Sequence, residues 1–277
     1  MTGNPQKTVS EALAAARQAL VPVSQEEAAQ QARLFLCHAL DVSQSELIAL
    51  STAPMPEAAQ KTLNELITRR LTGEPLQYIL GEWEFLGLPF FTQTGALIPR
   101  QDTEVLAEHA LSLIEERGYK TVLDLCCGTG CVGISLSKLS GISATLADIS
   151  TECLSLAQKN AARNGISASF LQGDLFDSVN GLSFDLIVCN PPYIPTGDLA
   201  SLQKEVLFEP RLALDGGEDG LCFYRRIAQR YKAHLNTGGT LLLEVGIFQA
   251  EDVKALFENA YVLKDLCGVE RVVAVQV

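Results

Sequence analysis

The chain is predicted to be an α/β protein: a small all-helical domain, a β-hairpin linker, and a mostly parallel sheet covered by helices on both faces. Three observations predict it. Helix-opening capping boxes recur through the first 75 of its 277 residues. Aromatic and glycine residues crowd the stretch that follows. Beyond Asp102, short apolar runs alternate with amphipathic segments of helical length, the pattern of strands joined by crossover helices.

The elements follow in order. Thr8-Val9-Ser10-Glu11, Ser24-Gln25-Glu26-Glu27 and Ser43-Gln44-Ser45-Glu46 each pair a hydroxyl with a glutamate three residues later, the signature of a helix start. A fourth helix starts at Pro56 and ends near Gly73, with Pro75 just beyond. Leu63, Leu66, Ile67 and Leu71 keep helical spacing there. Residues 1–75 are therefore assigned to the helical domain, whose adjacent Arg69-Arg70 reads as a solvated helix end. Residues 76–100 are assigned to the linker. Tyr78, Trp83, Phe85, Phe90 and Phe91, with Gly81, Gly87 and Gly95, suggest a hairpin between Gln77 and Pro99. These rings are expected in the core, and also on the floor of a substrate channel. Residues 101–277 are assigned to the sheet domain. Strands are expected at 121–125, 144–147, 169–172, 184–189, 240–245, 261–265 and 272–277. Helices are expected at 103–117, 129–139, 151–164, 221–235 and 248–259.

Charge narrows the function. There are 33 acidic residues against 21 Lys and Arg, a net charge of −12. A protein that grips nucleic acid by its phosphates needs clustered cations, so no direct nucleic-acid binding is expected. A basic protein partner is compatible with this balance. The first residues lack the apolar core of a signal peptide, and no run approaches the ~20 apolar residues of a membrane span. A cytoplasmic protein with no membrane contact is the expectation. Five of the eight cysteines are scattered through apolar segments. Cys126, Cys127 and Cys131 cluster, but without a Cys-x-x-Cys pair or a nearby histidine. Reduced thiols and no metal site are expected.

Two stretches carry chemistry. Val122-Leu123-Asp124-Leu125-Cys126-Cys127-Gly128-Thr129-Gly130 reads as strand, glycine turn and helix start. Glycines let a cofactor approach the backbone, and the lack of a full G-x-G-x-x-G suits a nucleoside without a pyrophosphate. Asp148 lies 18 residues beyond Gly130, at the end of the next strand, where an acid can accept bonds from ribose hydroxyls. After the third strand, Asp174 can accept an adenine amino proton with Leu175 against the ring. Each acid alone is more often a helix cap or a turn residue. Their placement on one sheet edge favours a site. The second stretch, Asn190-Pro191-Pro192-Tyr193, follows the apolar run Phe184-Asp185-Leu186-Ile187-Val188-Cys189. Two prolines end the strand and leave an amide, a free carbonyl and a ring at its edge. Those groups suit a planar NH2-bearing substrate, with two acceptors for its N–H donors and a stacking face. A stiff turn without chemistry is the plain alternative.

With both stretches on one edge, the chain resembles a class I S-adenosylmethionine-dependent methyltransferase. More closely, it is similar to the bacterial peptide chain release factor glutamine methyltransferases, the PrmC/HemK family. The likeness covers nearly the whole chain. It is carried by the junction from Arg70 to Ile79, by Ile98-Pro99-Arg100-Gln101-Asp102-Thr103-Glu104, by Asn190 to Tyr193, and by the block from Glu209 to Leu221. The resemblance implies a seven-stranded Rossmann-like sheet with its last strand antiparallel, and a helical domain that helps hold the release factor. It implies S-adenosyl-L-methionine as cofactor, S-adenosyl-L-homocysteine as product, and N5-methylation of the glutamine in the Gly-Gly-Gln motif of class 1 release factors; a monomer is the separate expectation. The cofactor loop then falls on Cys126, Cys127, Gly128, Thr129 and Gly130. The ribose acid falls on Asp148, the adenine contacts on Asp174 and Leu175, and Asn190 borders the cofactor. Substrate binding falls on Asn190, Pro191, Pro192 and Tyr193, with Asn190, Pro191 and Tyr193 catalytic. Two departures stand out: Cys126-Cys127 where the family often has Gly-Thr, and Gln101 where proline is usual. Two rivals remain, adenine-N6 methylation of DNA or RNA and a non-catalytic cofactor-binding scaffold.

Overall fold

The computed structural model describes residues 7–277. The chain divides into two compact units. One runs to Gly81 and takes in Lys204–Phe208; the other comprises Glu82–Gln203 and Glu209–Val277.

The first unit holds α1 (Val9–Leu20), α2 (Ala28–Leu40), α3 (Gln44–Ala49), α4 (Glu57–Leu71) and α5 (Leu76–Leu80) around Leu20, Phe35, Leu36 and Leu63. The capping boxes of Thr8 with Glu11 and Ser43 with Glu46 both form in full. The box expected at Ser24 forms by half. Ser24 Oγ accepts the Glu27 N–H (3.2 Å), but the Glu27 carboxylate turns to Gln31 Nε2 (2.8 Å), and α2 begins only at Ala28.

Two expectations are corrected here. Leu76–Leu80 is helical, so the hairpin begins later than its aromatic content suggested, and Tyr78 sits on a helix. Arg69 and Arg70 also part company. Arg69 is partly exposed and bonds Glu74, as a solvated helix end should. Arg70 is 1% exposed. Its Nε donates to Gln31 Oε1 (2.9 Å), its Nη1 to the Glu74 carbonyl (3.0 Å) and its Nη2 to Glu205 Oε1 (2.5 Å). A buried guanidinium is tolerable only when its donors and charge are matched. The matching carboxylate lies 135 residues away in sequence, where no local pattern can show it.

The second unit opens with the hairpin β1 (Glu82–Phe85) and β2 (Leu88–Phe91). Leu86 and Gly87 both take positive φ, as a two-residue hairpin turn requires. Phe85 and Phe90 meet edge to face in the core, with centroids 6.3 Å apart. There follow α6 (Gln101–Arg117), β3 (Thr121–Leu125), α7 (Cys131–Ser140), β4 (Ser143–Asp148), α8 (Thr151–Asn164), β5 (Ser169–Gln172), β6 (Phe184–Cys189) and α9 (Arg211–Leu214). Then come α10 (Cys222–Arg230), β7 (Leu235–Glu244), α11 (Ala250–Lys254), β8 (Ala260–Lys264) and β9 (Glu270–Gln276).

The seven strands run β5-β4-β3-β6-β7-β9-β8, with β9 antiparallel to both neighbours. This matches the sheet the resemblance implied. Leu106, Ile134 and Leu154 from α6, α7 and α8 fill one face; Tyr224, Ile227 and Val253 from α10 and α11 fill the other. Three helices are shorter than expected; α10 ends at Arg230 and gives way to a 3-10 turn at Tyr231–His234. α7 starts at Cys131 because Gly130 caps it at φ 77°. A Cβ on Gly130 would lie 2.8 Å from Ile134 Cδ1 and 2.9 Å from Leu146 Cδ2, so this glycine serves helix-on-sheet packing. α11 ends at Lys254 and gives way to turns before Asn259 at φ 54°. Gln101 is the first residue of α6, where proline is favoured but its missing N–H is not required. Among the described residues, no helix is long and apolar enough to cross a membrane.

Candidate active site

β3 and β6 are neighbours at the centre of the sheet, and the chain diverges from them in opposite directions. Ligands bind outside the carboxyl ends of strands at such a switch point. A cavity of about 290 Å³ lies there.

One wall is made by the loops after β3, β4 and β5. The Asp148 carboxylate ties two of them together. Its Oδ2 accepts the Gly128 N–H and its Oδ1 the Ser150 N–H, both at 2.9 Å. Burial raises the Asp148 pKa and these bonds oppose the rise. Each oxygen keeps a lone pair for a ligand hydroxyl. Cys126 and Leu175 line the same wall with φ of 60° and 51°, strained for side-chain-bearing residues. Asp174 Oδ2 accepts from Arg226 Nη2 at 2.7 Å, and Arg226 lies over the Phe223 ring. Arg226 and Phe223 come from α10 and line the cavity. Nothing in their sequence neighbourhood marks them.

Of the residues expected from sequence, Cys126, Gly128, Asp148, Asp174, Leu175, Asn190 and Pro192 line this cavity. Cys127 and Thr129 line an adjoining pocket of about 40 Å³, which Cys126, Gly128 and Asn190 share. Gly130, Pro191 and Tyr193 line neither.

The loop after β6 is braced from several directions. Gln249 Nε2 donates to the Tyr193 carbonyl (2.9 Å), and Ile194 exchanges backbone bonds with Leu214 (2.9 Å) and Gly216 (2.8 Å). Gly220 takes φ 76°, and a Cβ on it would stand 2.4 Å from the Tyr193 carbonyl oxygen. That explains a glycine in the block from Glu209 to Leu221. Glu209 itself is buried; Ile98 N–H donates to its Oε2 (3.0 Å), and Arg100 pairs with its Oε1. The two motif segments thus meet. Burial, with Glu244 nearby, raises the Tyr193 pKa, so its hydroxyl stays protonated.

Two buried acids that the sequence reading passed over lie beneath the site. Burial pushes Asp124 up to about 7, against a 2.8 Å bond from the Gly133 N–H. Glu244, the last residue of β7, is also pushed up to about 7 by burial. Thr103 and Asn190 beside its carboxyl oppose that rise, and its Oε2 has no hydrogen-bond partner. Both acids interrupt or end an apolar strand, the same signal that drew attention to Asp148. Among the described residues, no cluster of His, Cys, Asp and Glu is arranged to hold a metal ion.

Comparisons with known proteins complete the picture. A profile of the PrmC N-terminal domain matches residues 11–81, and one of the methyltransferase small domain matches residues 101–214. A release factor glutamine methyltransferase of Moorella thermoacetica is 38% identical over 273 residues, covering 95% of this chain and 96% of the relative. The chain belongs to the release factor glutamine methyltransferase family. Another member, from Geobacter sulfurreducens, is 46% identical over 215 residues, covering 75% of both chains. Among solved structures, a methyltransferase from Pyrococcus furiosus superposes with a TM-score of 0.53 at 15% identity, covering 79% of this chain and 98% of that one. SMU.776, a methyltransferase complexed with SAH, reaches 0.50 at 13% identity, covering 71% and 56%. Likeness at that identity shows the methyltransferase fold. Cys126 takes a φ of 60°, a left-handed conformation that glycine adopts at no steric cost.

Proposed function

We propose that this chain is an S-adenosylmethionine-dependent methyltransferase acting on the side-chain amide nitrogen of the Gly-Gly-Gln glutamine in class 1 peptide chain release factors. One observation carries the reading. In a chain of this family, Asn190 enters, from the end of β6, a cavity whose opposite wall carries Asp148. The residues present fit the cofactor. Asp148 has lone pairs for ribose hydroxyls, and Leu175 and Phe223 offer apolar surface to an adenine ring. Asp174 has a second oxygen for the adenine amino group while its first holds Arg226. When bound, S-adenosylmethionine supplies a methyl group on a positively charged sulfur.

The remaining work falls to the loop after β6. A carboxamide nitrogen is a poor nucleophile because its lone pair is delocalised. Asn190 Oδ1 and the Pro191 carbonyl accept its two N–H bonds, hold it in line for transfer and favour pyramidalisation. The ring of Tyr193 stacks on the amide plane. No group need remove a proton before transfer. The helical domain helps hold the release factor, and the enzyme works as a monomer in the cytoplasm. A net charge of −12 weighs against a nucleic-acid substrate.

The test is labelled methyl transfer to a release factor with its Gly-Gly-Gln glutamine intact or changed to alanine. Label is expected only on the intact form. Equal label on the alanine form overturns the substrate assignment. Asn190→Ala should lose about 10²–10³ in kcat, by analogy with a lost oxyanion-hole donor.

A further inference from the structure

We infer that Glu244 and Thr103 are positioning residues that decide which end of the Asn190 amide faces the cavity. The inference rests on the reading above, in which Asn190 Oδ1 is an acceptor for the substrate N–H. A side-chain amide has two ends of nearly equal shape and opposite hydrogen-bonding character. Turned over, Asn190 would present its own NH2 to the substrate NH2, and two donors cannot bond. Something must fix the orientation before substrate arrives.

The structure contains that device. Asn190 Nδ2 donates to Thr103 Oγ1 at 3.3 Å, and the Glu244 carboxyl lies near enough to Thr103 and Asn190 for both to favour its charged form. Register explains the geometry. Cys189 on β6 pairs with Leu243 on β7, so the next residues, Asn190 and Glu244, leave adjacent parallel strands side by side. Thr103 arrives from the first turn of α6. Thr103 and Glu244 are 3% and 2% exposed, so little water reaches them to satisfy a misplaced amide. The Thr103 hydroxyl could serve either end of the amide, so the ionised Glu244 carboxylate, which only accepts, decides the orientation: an inward-turned Asn190 Oδ1 would meet it acceptor to acceptor. With Nδ2 committed inward, Oδ1 is the end turned toward the cavity that Asn190 lines.

The backbone at Glu244 is anchored. The Glu244 carbonyl accepts the Tyr224 hydroxyl at 2.8 Å, and Asp102 and Arg271 supply the nearby charges. Glu244 Oε2 nevertheless lacks a partner. A buried, incompletely satisfied carboxyl is costly and calls for an explanation. Orienting the acceptor residue supplies one that packing does not.

The experiment compares full-length wild type with Glu244→Gln, Glu244→Leu, Thr103→Val and Thr103→Ser. Readouts are kcat for methyl transfer to a release factor, cofactor Kd by calorimetry, and Tm. Glu244→Leu and Thr103→Val should each lose about 10-fold to 10²-fold in kcat, with cofactor Kd within about twofold of wild type. Glu244→Gln and Thr103→Ser, which keep an acceptor oxygen, should recover to within about fivefold. Wild-type kcat in a folded Glu244→Leu or Thr103→Val overturns the inference. So does a Glu244→Gln enzyme as poor as Glu244→Leu, because charge and not the acceptor would then matter. If Glu244→Leu fails to fold, the Thr103 pair decides alone. A wild-type enzyme that transfers no methyl to the release factor refutes the function itself. Active wild type with active variants refutes only the positioning.

Discussion

The two halves of the cavity are held by different kinds of bond. The wall that would take a nucleoside is stitched by short-range links: Asp148 to Gly128 and Ser150, with Cys126 and Leu175 in left-handed conformations. The loop after β6 is braced by residues that arrive from afar: Thr103 from α6, Gln249 from beyond β7, Gly220 behind Tyr193. Both halves rest on a buried acid pushed up to about 7, yet Asp124 is bonded by Gly133 while Glu244 keeps an orphan oxygen. The wall that would take a nucleoside draws mainly on strand ends, with Phe223 and Arg226 added from α10. An acceptor of defined polarity needs the rest of the sheet.

The sharpest way to break this comparison is to disturb one half and read the other. The largest effect concerns Asp124. Its folded pKa of about 7 exceeds the ordinary carboxyl value of 3.8, so the native state holds a proton that the unfolded state loses between those values. Stability contributed by that proton is complete below pH ~4 and lost as pH rises to ~7. At about 1.4 kcal/mol per unit, a gap of three units is worth up to about 4 kcal/mol. Asp124→Asn keeps the acceptor for Gly133 and removes the titration. Its Tm should fall less than that of wild type between pH 4 and 7, the residual slope belonging to Glu244 and to Asp148 and Glu209, which burial also raises. Parallel Tm-against-pH curves would show that Asp124 is ionised in the folded protein.

Gly220→Ala comes next. Its Cβ would displace the Tyr193 carbonyl, and a loop misplaced by about 1 Å can cost ~10² in turnover. kcat should fall by that factor while cofactor Kd, set by the other wall, stays within about twofold. A matching loss in Kd would mean that the halves are one mechanical unit. Asp148→Asn tests the reverse. Bonds to a charged group contribute about 1.5–3 kcal/mol, so cofactor Kd should weaken at least ~10-fold, with kcat at saturating cofactor within a few-fold. An unchanged Kd by calorimetry removes Asp148 from the site. The smallest effect is at Cys126, whose φ of 60° costs a side-chain-bearing residue about 1–2 kcal/mol. Cys126→Gly relieves that and loses some chain entropy, for a net gain of about 0.5 kcal/mol. A lower Tm would show that the thiol's packing outweighs the strain.

The same division decided what could be read in advance. β3, α8, β5 and β6 fall on the residues their apolar patterns marked, and Asp148 was visible because it ends its own strand. Asn190 was visible because two prolines isolate it. Arg226 and Phe223 were not, since they join the site by the way α10 packs. Thr103 reads as one more residue of a helix start until β6 and α6 are brought together. Glu244 could have been found, for it ends an apolar run on the same sheet edge as Asp148. Arg70 is the clearest failure of local reasoning: helical periodicity placed it correctly on α4 and could not reveal Glu205.

That last pair bears on how the molecule is made. Lys204–Phe208 belongs to the helical unit, although over a hundred residues separate it from Gly81. A chain emerging from the ribosome presents its helices long before it presents Glu205. Until then Arg70 lacks the carboxylate that compensates its burial, and an uncompensated buried charge costs about 3–5 kcal/mol. The first unit to be synthesised is therefore among the last to be completed, and a fragment cut at Gly81 would carry a vacancy where its counter-ion belongs.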